Sequence, residues 1–115
     1  MALLMTRSWV SLAMGVLLWV PVLALAANIP EFTVAIKDHH FDPAELKVPA
    51  NTKVKLIIDN QDSSAEEFES FELNREKVVA GHKKIIVFIG PLKTGAYRYF
   101  GDFHKNTAQG IIRVQ

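Results

Sequence analysis

The sequence predicts an all-β domain folded as a two-sheet Greek-key sandwich, and two observations carry that expectation. Apolar residues recur at every second position over short stretches: Phe32, Val34 and Ile36; Val54, Leu56 and Ile58; Ile85, Val87 and Ile89; Tyr97 and Tyr99; Ile112 and Val114. A period of two lines one face of a half-buried strand. Clusters of Gly, Pro, Asn, Asp and Ser separate these stretches at residues 38–43, 49–51, 60–64 and 90–95. Short strands at regular spacing with turn residues between them are the pattern of two packed sheets.

The elements follow in order. Phe32, Val34 and Ile36 alternate with Thr33, Ala35 and Lys37, and Asp38-His39-His40-Phe41-Asp42-Pro43 interrupts them. Leu46 and Val48 give a brief strand, closed by the turn Pro49-Ala50-Asn51. Val54, Leu56 and Ile58 alternate with Lys53, Lys55 and Asp59, the clearest strand signal in the chain. Residues 66–73 are contested. Ser63 or Ser64 followed by Glu66 or Glu67 has the form of a helix-capping box, and Phe68 and Phe71 stand at helical spacing. The assignment adopted is a strand over this segment, with a helical turn at residues 74–77. By alternation, Leu56 and Val87 are expected in the core, one on each sheet. Gly90-Pro91 opens the turn into a last hairpin formed by Tyr97, Tyr99, Ile112 and Val114.

Composition narrows the chemistry. The chain has 115 residues, enough for one domain. It begins Met1-Ala-Leu-Leu-Met5-Thr-Arg7 and is apolar from Trp9 to Leu25, with Arg7 its only charge and Ala24-Leu25-Ala26 as a small-residue exit. These are the parts of a secretory signal peptide over residues 1–26, which places a domain of residues 27–115 in the periplasm. A retained membrane anchor is the alternative, since the run is nearly long enough to span a bilayer. Both tryptophans and all three methionines lie in that leader, and the chain has no cysteine. The domain therefore has no sulfur ligand, and a blue-copper centre, which needs a thiolate beside two imidazoles, is excluded. Without Arg7, twelve Lys and Arg balance twelve Asp and Glu. No basic stripe suits nucleic acid, and no polybasic patch suits a membrane surface. Nucleophile elbows, phosphate-binding Gly-rich loops and zinc-protease helices are also lacking.

The final hairpin, Gly95-Ala-Tyr97-Arg-Tyr99-Phe-Gly101-Asp-Phe-His104 with Gly110 after it, resembles the C-terminal hairpin of the cupredoxins. Phe41, Pro43, Val48, Ala50, Val54 and Asn60 match the opening of that family, and Asn60, Asp62, Glu66 and Phe68 match its middle motif. With Glu67-Phe68-Glu69, the sequence looks most similar to the periplasmic cupredoxin-like proteins of bacterial iron uptake, the EfeO type. The resemblance implies that Glu66 stands where the family has its first copper histidine. It puts Gly101 at the cysteine, His104 at the second histidine, and Ala108 or Gln109 at the methionine. It also implies that the loop carrying His39 and His40 lies at the same end of the sandwich as the copper site, and Asp102 sits beside the cysteine position that Gly101 leaves vacant.

The implied metal ligands are thus His104, Glu66, Glu67, His39, His40 and Asp102. Imidazole suits copper(II) and iron, and carboxylate suits harder ions, so copper or iron is the expected metal. Which of Glu66 and Glu67, and which of His39 and His40, would bind stays open. His82, in a Gly-His-Lys-Lys turn, reads as an ordinary surface residue. The resemblance implies an accessory of iron or metal uptake, with periplasmic or inner-membrane transport components as partners and a ferroxidase-like assisting role at most. The competing expectation is a metal-free module that docks such a partner.

Overall fold

A computed structural model describes residues 2–4, 11–19 and 28–115. The expected cleavage site at Ala24 to Ala26 lies outside the described residues, and no helix among those described is long and apolar enough to cross a membrane. Nine strands follow residue 30: β1 (Glu31–Lys37), β2 (His40–Asp42), β3 (Glu45–Val48), β4 (Val54–Asn60), β5 (Glu66–Ser70), β6 (Arg75–Val79), β7 (Lys84–Ile89), β8 (Gly95–Gly101) and β9 (Gln109–Val114). A single 3₁₀ turn, Asp102–His104, joins β8 to the loop before β9. The strands form a four-stranded sheet, β2-β1-β4-β7, and a five-stranded sheet, β3-β9-β8-β5-β6. Both sheets are mixed, because β1 runs parallel to β4 and β3 parallel to β9.

The alternation seen in the sequence becomes the core. Val34, Ile36, Leu56, Ile58, Phe68, Val79, Ile112 and Tyr99 are all nearly inaccessible to solvent and pack between the sheets. Burying each such side chain contributes roughly 1.5–3 kcal/mol, which makes this face-to-face packing the main stabilising term. Three aromatic rings organise one end: Tyr99 packs edge-on against Phe41 at 4.8 Å and tilted against Phe68 at 5.1 Å. A Cβ at Gly110, directly opposite Tyr99 in the β8–β9 ladder, would come within 2.2 Å of that ring, so only glycine admits it. Burial pushes the Tyr99 hydroxyl well above the usual phenol range, and that oxygen has no hydrogen-bond partner among the described residues.

Two expectations need correction. Residues 74–77 are no helical turn: Asn74, in the left-handed region at φ 53°, turns the chain from β5 into β6, which already begins at Arg75. The helix-favouring charges there face water along a strand, so propensity loses to pairing. Leu56 and Val87 are both buried, as expected, but they are direct partners in the same sheet rather than residues of opposite sheets. The chain crosses to the other sheet for β5 and β6 and then returns, so β7 lies beside β4.

Candidate metal centre

Period two decides which of the paired glutamates enters the sandwich. Glu66 and Phe68 face inward on β5, while Glu67 and Glu69 face out. The Glu66 side chain is 1% exposed. A buried carboxylate must be fully hydrogen-bonded to be tolerated. Here Oε1 accepts from the backbone N–H of Phe103 at 2.9 Å and of Glu67 at 3.0 Å, and Oε2 lies 2.6 Å from Nδ1 of His104. A carboxylate only accepts, so Nδ1 carries a proton, and in the neutral ring Nε2 is the nitrogen left to bind another group.

The glutamate fits because position 101 has no side chain. A Cβ there would lie 2.6 Å from Glu66 Cδ, 2.8 Å from its Oε1 and 2.6 Å from Ala108 Cβ. Loop closure holds His104 in place: the Ala108 N–H donates to the His104 carbonyl at 2.8 Å, and the Gly101 N–H donates to the Ala108 carbonyl at 2.8 Å.

A second imidazole arrives from the β1–β2 turn. Asp38 and His39 occupy that turn with φ of 50° and 59°, both left-handed, as a two-residue hairpin of this hand requires. The Asp62 carboxylate ties the turn down, accepting from the N–H of Asp38 at 2.8 Å and of His39 at 3.0 Å. Burial alone would raise the Asp62 carboxyl, but those two backbone donors, together with the nearby His39 and His104, hold it below the usual carboxylate range. Asn60, itself 1% exposed, fixes the Asp62 loop in turn, its Oδ1 accepting from the Asp62 N–H. The His39 ring lies flat on His104, with centroids 3.6 Å apart and planes 13° from parallel.

The structure therefore brings together His104, Glu66 and His39, and gives the other expected ligands partners of their own. His40 is exposed and turns its Nδ1 onto the Asp38 carbonyl. Asp102 pairs with Lys105 at 3.2 Å. Glu67 lies on the outer sheet face, in a carboxylate cluster with Glu69 and Glu76. A hydrogen bond with Glu76 raises its carboxyl to about 7, with burial and the charges of Glu76, Asp102 and Glu69 adding to the effect. His82 is exposed at another turn. Asp62, which holds His39 in place, was not among the expected site residues. Its spacing from Asn60 was the available signal, because an Asn-x-Asp pair ending a strand suits a loop-fixing role.

The donor set is not a blue-copper one. No thiolate is present, and the space a cysteine Cβ would need is filled by the Glu66 carboxyl. One imidazole nitrogen backed by a buried carboxylate matches the way protein carboxylates orient metal-binding histidines, whereas the His39 ring lies parallel on His104, so the in-plane lone pairs of the two rings do not converge on one point.

Comparison with known proteins agrees with this architecture. The model of the cupredoxin-like domain family matches residues 10–114. An uncharacterized protein of Rickettsia prowazekii is 53% identical over 87 residues, covering 76% of this chain and 70% of the relative. Auracyanin A, a blue copper protein from Chloroflexus aurantiacus, superposes with a TM-score of 0.66 at 15% identity over 76% of this chain and 100% of its own. The metal-binding domain of the copper(I)-exporting P-type ATPase CopA of Streptococcus pneumoniae superposes with a TM-score of 0.63 at 10% identity, over 74% of this chain and 84% of that one. At these identities the two structural likenesses speak for the fold alone.

Proposed function

The chain belongs to the cupredoxin-like domain family, and from that premise we propose that it is a periplasmic metal-handling protein that binds copper or iron through histidine, with a buried carboxylate orienting the ring. In this reading His104 supplies the anchoring donor, Nε2, and Glu66 holds the ring by its other nitrogen. His39, the nearest second imidazole, is stacked on His104 and would have to turn out of the stack to donate to the same ion. A bound ion would supply Lewis acidity or a one-electron couple without a thiolate. The chain's own residues fix the tautomer, shield the buried side of the site with Phe41, Phe68 and Tyr99, and leave the outer side open to exchange.

The observation that carries the reading is the Glu66–His104 contact, a carboxylate 1% exposed at 2.6 Å from an imidazole that is itself 29% exposed. Copper(II) heads the divalent series for such donors, while carboxylates favour iron(III) by charge. The sequence resemblance to iron-uptake proteins supports a role beside a transport component that gives or takes the ion. Calorimetric titration with copper(II) and with iron tests this. Binding of one ion per chain is expected, without intense blue colour. His104→Ala should weaken it at least about tenfold, roughly 1.4 kcal/mol, and His82→Ala should leave it unchanged.

One observation favours a second reading. Every Glu66 oxygen already has a partner within the protein, so the pair needs no ion to be satisfied. A metal-free module that docks a transport partner through this end of the sandwich is the account left standing if neither metal binds.

A further inference from the structure

We propose, resting on the metal reading above, that this site takes its ion as a complex that keeps ligands of its own. The form it suits is a copper(II) or iron ion already held by a small multidentate carboxylate chelator, to which His104 adds a single nitrogen.

Most of the donors at this end of the sandwich are already engaged. Glu66 accepts from the N–H groups of Glu67 and Phe103 at Oε1 and holds His104 at Oε2. Both Asp62 oxygens accept from the backbone, one from Asp38 and the other from His39. Asp102 is paired with Lys105, and His40 turns its Nδ1 onto the Asp38 carbonyl. The His39 ring lies parallel on His104, so their lone pairs point side by side. Among the described residues, ligand atoms of three His, Asp or Glu side chains gather within 4.8 Å only in the Glu67, Glu69 and Glu76 cluster, which does not include His104.

What remains in place for an ion is Nε2 of His104. Glu66 fixes that ring through Nδ1, and a carboxylate so placed makes the imidazole a better donor. Among the described residues, His40 and His82 have no carboxylate on the ring, and His39 has Asp62 only at 3.5 Å, too long for a strong hydrogen bond. His104 is therefore the strongest single donor of the four.

One donor does not make a chelating site. Copper(II) and iron ions take about four to six donor atoms, and a lone imidazole replaces one of them. It cannot strip an ion from a multidentate ligand, because linked donors rebind at high effective concentration. It can add to an ion whose chelator leaves a position open. In doing so Nε2 replaces one water, and no electron or proton changes hands. The surroundings accommodate more than a bare ion: the His39 side chain is 44% exposed and Phe103, next to His104 in the chain, is 50% exposed. The Phe103 ring offers an apolar surface to the carbon skeleton of a chelator.

Titration of the whole protein, as processed by the cells that express it, with copper(II) and with copper(II)–iminodiacetate tests the proposal. Iminodiacetate is tridentate and its copper(II) complex carries no net charge, so Asp62 and Asp102 neither attract nor repel it. The two forms should bind at His104 with affinities within about tenfold of each other, because the protein contributes the same bond to both. Each should broaden the His104 ring resonances at about a tenth of the concentration that affects His40 or His82, which locates the site without a variant. Glu66→Gln should weaken both forms by the same factor. Pulsed electron paramagnetic resonance of the protein with substoichiometric copper(II) should count a single imidazole on the ion. Two or more imidazoles, or a chelated ion held over about a hundredfold more weakly than the bare one, would reveal a chelating site. Either result would overturn the proposal and leave the metal reading standing. Failure of both forms to bind at His104 would overturn the two together.

Discussion

A Cβ at position 101 would lie 2.6 Å from both Glu66 Cδ and Ala108 Cβ, so the buried glutamate and the glycine depend on each other. Gly101→Ala should destabilise the fold by about 1–3 kcal/mol, the usual range for overpacking, as measured by urea unfolding. Combining it with Glu66→Ala should recover part of that loss, since the clashing carboxyl is gone. Glu66→Gln keeps the shape, removes the charge that orients His104, and should weaken copper(II) binding about ten- to a hundredfold. At this scale the sequence was only partly legible. Resemblance pointed to His104 and to a carboxylate near residue 66. Alternation separates Glu66 from Glu67, and burial of Phe68 decides that Glu66 is the inner one. His39 reaches the site from a turn of left-handed residues, where strand alternation no longer applies.

Among the elements, β5 is where local and long-range forces disagree. Residues 66–73 carry helix-favouring glutamates, yet pairing with β6 and β8 makes residues 66–70 a strand. The cost appears on its outer face, where Glu67 shares a proton with Glu76 and its carboxyl is raised from 4.5 to about 7. Because the folded state holds this proton more tightly than the unfolded chain does, its contribution to stability is complete below pH 4.5 and is lost as pH rises through 7. Glu67→Gln should therefore be more stable than the parent at pH 8 and close to it near pH 5, compared by urea midpoints at each pH. The β4–β7 pair gives a second test. Leu56→Ala should cost about 2–4 kcal/mol and Val87→Ala somewhat less, from lost burial plus a cavity. As register partners, the two should couple in a double-mutant cycle by about 0.5 kcal/mol or more. Alternation told which way these residues face but not which strands adjoin, because β7 returns to β4 across two intervening strands.

For the whole molecule, the two-layer class was legible because five alternating stretches each need a covered face, and two packed sheets supply it. The mixed direction of the sheets and the carboxylate-filled space at Gly101 were not, since both arise from contacts distant in sequence. The central claim is that this fold, with no thiolate, holds an ion at His104 beside Glu66 and His39. It is tested most directly by following the imidazole proton resonances of all four histidines while copper(II) is added well below one equivalent. Paramagnetic broadening should erase His104 first and His39 with it, leaving His40 and His82 sharp. Equal broadening of all four, or loss of His40 or His82 before His104, would contradict the account.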